Sequence, residues 1–448
     1  MSQTRELALD ILVDIDKKKS FSHLALSDTL RNYQFMEKQD RAFLTRICQG
    51  TLENQIQIDY IINQFSKVKI TKCKPVIRAI LRMGVYQLKY MDHVPNSAVC
   101  NEAVKLAKKR GFYNLAGFVN GVLRNIARNI DQIVYPDEKK EPIKSLSIQY
   151  SMPEWLISEW LKEYDIETIK KILQSFLKVS PTTIRVQRQN ASITEVKDSL
   201  QKEQIRVLPG NFMPEALQIS GYDYLEDLKP FQEGKIVVQD ESSMLVGQLA
   251  DPKEGMLVLD VCSAPGGKAL HIADKLHGTG SVISRDLTEY KVDLIEENRE
   301  RLQCNNLSVQ VFDALDEDQD LIGKVDLVIA DLPCSGLGII GKKHDIKYNV
   351  TKEKIEDLVI LQRQILAVVT KYLKQDGVLM YSTCTISKKE NIRNVQWMID
   401  HLGLELIGFD ELMPESLFIE TAKDGYIQLL PGIHPCDGFF IAKLRRKR

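Results

Sequence analysis

Apolar residues along the first 130 positions recur at helical spacing. In "TRELALDILVDIDKK", Leu7, Ile11, Leu12 and Ile15 share one face of a 3.6-residue period. "DRAFLTRICQGTLEN", "IDYIINQF", "KPVIRAILRMGVYQLKYM", "VPNSAVCNEAVKLAKKRG" and "AGFVNGVLRNIARNI" continue the period, and no strand pattern of useful length interrupts them. Pro75 suits a first helical turn, Asn96 or Ser97 an N-cap, and Gly111 a helix stop. The pattern predicts an all-α domain over residues 1–135.

Pro136, Pro142 and "DEKKE" then have the composition of a linker. "SMPEWLISEWLKEY" is amphipathic and carries Trp155 and Trp160, and "PTTIRVQRQ" reads as a strand, so residues 145–225 are expected to form a small α+β subdomain. From about 226 strands and helices alternate. "MLVLDV", "SVISRD", "LSVQVFD", "VDLVIAD" and "GVLMYST" are strands, separated by helical patterns such as "LTEYKVDLIEENRERL" and "KIEDLVILQRQILAVVTKYL", and "GFFIAKL" is a late strand. This rhythm predicts a doubly wound, Rossmann-like α/β domain with a parallel sheet over 226–448.

Composition narrows the class. A chain of 448 residues, 44% hydrophobic and 27% charged, is an ordinary globular protein of two or three domains. No apolar run reaches about 18 residues, and the N-terminus lacks a signal peptide's plain hydrophobic core, so a cytoplasmic protein without a membrane partner is expected. Eight cysteines without paired spacing read as reduced thiols, and no C-x-x-C pair or histidine cluster points to a metal. The net charge of −1 hides an asymmetry: residues 1–140 carry 23 Lys+Arg against 14 Asp+Glu, residues 141–240 carry 12 against 15, and residues 241–448 carry 25 against 32. A basic helical domain on an acidic remainder suggests a polyanion-binding module joined to something else.

The chemistry concentrates where α/β proteins keep it, at the carboxyl ends of strands. "MLVLDV" runs into a loop with Gly266 and Gly267 that opens a helix, a turn that brings backbone amides close to a ligand. The next strand ends in Asp286, where a carboxylate suits ribose hydroxyls, and the third ends in Asp313, where it can accept from an exocyclic amine. Neither a Walker lysine motif nor G-x-G-x-x-G is present. Two further strands end in "DLPC" and "STCT", which places Asp331, Cys334 and Cys384 at neighbouring strand ends. A single Asp after a strand is often a turn former, and a single Cys a small buried hydrophobe. That plain reading is accepted for Cys48, Cys73, Cys100, Cys304 and Cys436 and rejected for Cys334 and Cys384.

On "VPNSAVCNEAVKLAKKRG" and "FVNGVLRNIAR" the helical block resembles the NusB family of RNA-binding domains. The resemblance implies RNA contact, with Arg5, Lys72, Lys74, Arg78, Lys105, Lys108, Lys109, Arg110, Arg124 and Arg128 as the cations available to phosphates. "DVCSAPGGKALHI", "DLPCSGLG" and "STCTISKKEN" are similar to the signature set of S-adenosylmethionine-dependent RNA cytosine-5 methyltransferases. Joined to the helical front end, they resemble the bacterial RsmB (Sun/Fmu) type, which implies methylation of 16S ribosomal RNA at cytosine 967 in its usual numbering. The substrate would be naked RNA or an early assembly intermediate, and the enzyme a monomer. The implied roles are Cys384 as nucleophile at C6, Cys334 for proton removal and release, Asp331 on N3 and the amine of the base, and Lys268 in support. Cys262, Ser263, Ala264, Pro265, Gly266, Gly267, Lys268, Asp286, Asp313 and Asp331 would hold S-adenosyl-L-methionine. Departures from the family pattern are Gln187 for a usual Asn, Ser263 and Leu332 for usual Ala, and His344 for a usual Pro. The last puts in doubt the loop after Cys334, expected to line the RNA channel. The competing reading is a NusB-like RNA-binding or ribosome-assembly factor with a non-catalytic methyltransferase fold.

Overall fold

The computed structural model describes residues 2–18, 26, 29, 30, 33 and 36–447. It divides into two units, residues 1–178 with 340–349, and residues 179–339 with 350–448.

The first unit is helical: α1 (Ser2–Lys18), α2 (Lys38–Glu53), α3 (Gln55–Phe65), α4 (Pro75–Tyr90), α5 (Asn96–Lys109), α6 (Ala116–Arg128), α7 (Pro142–Tyr150), α8 (Glu154–Trp160) and α9 (Ile166–Phe176). Helix α4 is central and packs against α1, α2, α3, α5 and α6. Its sequence explains why. Ile77, Ile80, Leu81, Met83, Val85 and Tyr86 cover more than a single stripe, so the helix must be enclosed on most sides. Pro75 starts it, as expected, whereas Asn96 is the first residue of α5 and Pro95 stands at the N-cap position. Helices α7 to α9 group with this unit rather than with the strands that follow.

Residues 340–349 also belong here, although in sequence they interrupt the other unit. Lys347 Nζ donates to the carbonyl of Glu53 at 2.7 Å and Tyr348 Oη to that of Leu52 at 2.7 Å. These are orphan carbonyls at the C-terminus of α2. Burial brings the Lys347 ammonium down to about 7, against the pull of Glu53. The segment around His344, expected to line an RNA channel, thus packs into the helical unit.

The second unit holds two sheets. The smaller has β1 (Thr182–Val186), β2 (Arg206–Pro209), β3 (Ala216–Ser220) and β4 (Ile236–Val238) in the order β2-β3-β1-β4, with α10 (Ile193–Lys202) between β1 and β2. β4 lies beyond residue 225, so this sheet reaches past the expected end of the subdomain. The larger contains β5 (Leu257–Asp260), β6 (Ser281–Asp286), β7 (Leu307–Val311), β8 (Val325–Asp331), β9 (Leu373–Thr383), β10 (Leu404–Leu406), β11 (Tyr426–Leu429) and β12 (Phe439–Arg446). Its order is β10-β12-β9-β8-β5-β6-β7, with β11 also on β12. Strands β5 to β9 are parallel, but β12 runs antiparallel to β9, β10 and β11, so the sheet is mixed rather than parallel throughout. Successive residues enter opposite cores: Val258, Leu327, Met380 and Ile441 lie in one apolar cluster, and Leu259, Val328, Leu379 and Phe440 in the other. A sheet covered on both faces makes its central strands continuously apolar. It also leaves only the strand ends for polar chemistry. No described helix is long and apolar enough to cross a membrane.

Candidate active site

After β5 the chain turns through Val261–Gly266 into α11 (Gly267–Lys275). Gly266 has φ +98°, and a Cβ there would meet Ile295 Cγ2 and Leu270 Cδ1 at 3.2 Å, so the turn needs glycine for conformation and for space. The Ala264–Pro265 peptide is cis. Asp286, at the end of β6, holds the loop: its Oδ2 accepts the Ala264 amide at 2.9 Å, and its Oδ1 accepts the Leu287 amide at 2.8 Å and Lys291 Nζ at 2.9 Å. Asp313 lies two residues past the end of β7, where its Oδ1 accepts the Leu315 amide at 2.9 Å. Leu287, Tyr290, Val311 and Leu315, all within four residues of these acids, are exposed apolar side chains.

The neighbouring strand ends bring the reactive groups together. β8 and β9 pair in parallel with Asp331 opposite Ser382, and Ser382 Oγ donates to Asp331 Oδ1 at 2.8 Å. Lys268 Nζ, from the first turn of α11, reaches Asp331 Oδ2 at 2.5 Å and lies 5.3 Å from the centre of the Phe439 ring. Burial works against the Lys268 charge, but Asp331 and then Asp260 outweigh it and lift the ammonium above its ordinary value. Beyond the strand ends, Cys334 Sγ and Cys384 Sγ stand 3.3 Å apart, both half-buried. The Cys334 thiol is pushed well above the usual thiol range, first by its hydrogen bond with Cys384, then by burial, then by the Cys384 charge. Cys334 therefore keeps its proton in the resting pair. A thiol pair, a carboxylate anchor and a lysine gather at the ends of parallel strands, beside a glycine turn whose loop is held by Asp286.

Comparison with known proteins decides the family. A family description, "16S rRNA methyltransferase RsmB/F", matches residues 247–445; the NusB family matches residues 2–128, and an RsmF/B-like ferredoxin-like domain residues 152–222. A "Probable ribosomal RNA small subunit methyltransferase B" of Bacillus subtilis is 35% identical over 454 residues, covering 100% of this chain and 99% of its own. The chain belongs to the RsmB/F methyltransferases. A "Ribosomal RNA small subunit methyltransferase B" of Yersinia enterocolitica is 30% identical, with 91% of each chain covered. Among solved structures, "Crystal Structure of PH0851" superposes with a TM-score of 0.83 at 25% identity and 99% coverage of both chains. NSun6 from Pyrococcus horikoshii, solved with SFG, shares the fold at a TM-score of 0.56 and 24% identity, over 70% of this chain and 99% of its own.

This RsmB/F enzyme is an RNA cytosine-5 methyltransferase that uses S-adenosylmethionine. Its residues fit that cofactor. A Cβ would crowd the Gly266 turn, while one at Gly267 would meet nothing nearer than 3.7 Å. Asp286 sets a carboxylate acceptor against that loop, the chemistry that hydroxyl donors require.

One expectation changes in the helical unit. Arg5 is no phosphate contact: it is buried, its Nε donates to Gln87 Oε1 at 2.8 Å, and its guanidinium lies 4.9 Å from the centre of the Phe43 ring. Arg78, Lys105, Lys109 and Arg110 pair with Asp16, Glu102, Glu6 and Asp10 respectively. Lys72, Lys74, Lys108, Arg124 and Arg128 are exposed. Of the cysteines read as plain hydrophobes, Cys48, Cys100 and Cys304 are buried, whereas Cys73 and Cys436 are half-buried.

Sequence reasoning passed over Asp260. It is 1% exposed, at the foot of the loop that carries Cys262 and Ser263. Burial lifts its pKa to about 7, Lys268 opposing and Asp331 adding to the rise. Only its position as the last residue of β5 signalled it. Between its ordinary pKa, near 4, and about 7, the folded protein holds a proton on Asp260 that the unfolded chain releases. Folded stability attributable to this group therefore falls as pH rises through that window and is level above it. Asp260→Asn is expected to gain stability over wild type by on the order of 1–3 kcal/mol more at pH 8 than at pH 5. Urea unfolding of both proteins at the two pH values checks this. An equal difference at both would mean the carboxyl is not held neutral.

Proposed function

We propose that this enzyme methylates C5 of one cytosine in 16S ribosomal RNA, cytosine 967 in the usual numbering, through a covalent bond between Cys384 Sγ and C6. The observation that carries the reading is the pair of thiols 3.3 Å apart beside the Lys268–Asp331 ion pair. C5 of cytosine is a poor nucleophile. Attack by the Cys384 thiolate at C6, with a proton taken up at N3, makes C5 an enamine carbon. Asp331 holds N3 and the exocyclic amine, and Lys268 fixes the orientation of that carboxylate. Bound S-adenosylmethionine supplies the electrophilic methyl that C5 takes. Cys334, its own proton first released to solvent, then receives the C5 proton as a thiolate, the C5–C6 double bond re-forms, the C6–S bond breaks, and Cys384 leaves as thiolate while N3 loses its proton.

The high pKa of Cys334 agrees with this order. Once Cys384 is bonded to carbon it carries no charge and no longer shares a proton with Cys334. Two of the leading causes of the shift vanish, so the Cys334 proton is held less tightly at the step where it must leave for Cys334 to act as the base. Bisulfite sequencing of ribosomal RNA from cells with and without the gene tests the target: loss of one protected cytosine at the assigned position is expected, and loss elsewhere moves the target.

Asp286 is proposed to bind the ribose hydroxyls. Its carboxylate already accepts three hydrogen bonds from the cofactor loop and its flank, which leaves about one acceptor position open. Asp286→Ala should weaken S-adenosylmethionine binding about tenfold to a hundredfold, roughly one charge-assisted hydrogen bond's worth, while RNA affinity holds. Calorimetry showing unchanged cofactor affinity would remove Asp286 from the site.

A further inference from the structure

We infer that Glu390 is the positioning residue that holds the two thiols in register, an inference that rests on the two-thiol chemistry proposed above. Glu390 is fully buried, six residues after Cys384, between β9 and the helix Ile392–His401. Its Oε1 accepts the Ser335 amide at 2.8 Å and its Oε2 the Ser335 hydroxyl at 2.6 Å. Ser335 follows Cys334 directly. The Ser335 oxygen lies 2.8 Å from Thr385 Oγ1, and Thr385 follows Cys384 directly. The Ser335 proton is committed to the carboxylate, so Thr385 must be the donor to Ser335. Hydrogen bonds therefore run in one direction, from the residue after one thiol, through the residue after the other, to Glu390.

Gln362 closes the arrangement. Its Nε2 donates to the Pro333 carbonyl at 2.8 Å and to Glu390 Oε1 at 3.3 Å, while its Oε1 accepts Asn394 Nδ2 at 2.8 Å. Asn391 fixes the other flank: it accepts the Thr383 hydroxyl at 2.6 Å and donates to the Thr385 carbonyl at 3.0 Å. Each thiol is thus held by both of its chain neighbours, and Glu390 is the acceptor on which the two loops converge. A buried carboxylate is costly without such partners, and a fully satisfied network fixes a single geometry. A glutamine would place an N–H₂ donor against a Ser335 donor and reverse the chain of bonds.

The test uses the full-length protein and two near-isosteric variants, Glu390→Gln and Thr385→Val. The readout independent of catalysis is the rate at which diamide joins Cys334 to Cys384: both thiols lose a proton and together two electrons, the disulfide forms, and diamide is reduced to its hydrazine. Peptide mapping by mass spectrometry follows the cross-link. With circular dichroism and S-adenosylmethionine affinity unchanged, both variants should cross-link about tenfold more slowly and lose about tenfold to a hundredfold in kcat, the scale of a small misplacement of reacting atoms. Wild-type cross-linking rates in both variants would overturn the role of Glu390. Slow cross-linking with undiminished kcat would keep the Glu390 bridge and overturn the two-thiol chemistry instead. Should Glu390→Gln not fold, Thr385→Val, which removes only the hydroxyl that donates to Ser335, decides alone by the same two rates.

Discussion

Cys334→Ala is expected to trap the enzyme on its RNA. The variant keeps Cys384, so it can attack C6 and let C5 take the methyl, but it lacks the group that removes the C5 proton. A protein–RNA adduct that survives denaturing electrophoresis should accumulate to near one equivalent, with turnover lost by about a thousandfold or more, as when one member of a catalytic pair acting as a unit is removed. Cys384→Ala should give no adduct and no methyl transfer, and the double variant should match it. The base must leave its stack before a thiol can reach C6, at a cost of roughly a few kcal/mol that is least in an unpaired loop. Adduct yield should therefore be higher on a hairpin-loop cytosine than on a paired one. An adduct in Cys384→Ala and none in Cys334→Ala would exchange the roles. Absence of adduct in both, with methylation retained in one, would sink the covalent mechanism.

Lys268→Met should be nearly as damaging, for an electrostatic reason. The Lys268 ammonium is bonded to Asp331 at 2.5 Å, and its charge is also felt by the buried Asp260. Without it two acids share a poorly solvated pocket with no counter-charge. Breaking such a pair from one side costs about 3–5 kcal/mol when it is fully buried, and less here because Asp331 is a quarter exposed. Asp331 would also lose the partner that orients it toward the base, so kcat should fall about a hundredfold with S-adenosylmethionine affinity changed much less. Single-turnover methylation and urea unfolding of the variant measure the two effects. Turnover within threefold of wild type would take Lys268 out of the site.

Much of this was legible in the chain. The helical period around α4 and the strand rhythm after residue 226 follow from which positions must leave water, and that information is local. Gly266 was legible because a tight turn into a helix restricts the residue to glycine. Cys334 and Cys384 stood out because two apolar runs each ended in a cysteine where polar chemistry collects.

What stayed hidden is non-local. Parallel and antiparallel strands share the same two-residue period, so nothing in "GFFIAKL" shows that β12 runs against β9. An arginine on a helix looks the same whether it meets phosphate or, like Arg5, is buried against Gln87 and Phe43. Residues 340–349 carry no mark that they complete the helical unit, because the carbonyls that Lys347 and Tyr348 cap lie almost three hundred positions earlier.

The sequence by itself determined the secondary elements, the family and the residue types at the site, because periodicity, turn restrictions and motif chemistry are read over a few neighbouring positions. The tertiary structure alone decided that two thiols fifty residues apart come within 3.3 Å, that Lys268 spans to Asp331, and that Asp260 is buried where both of their charges reach it. Those outcomes depend on which strand lies beside which. Strand order is set by the burial of both sheet faces together, a property of the whole domain that no segment carries.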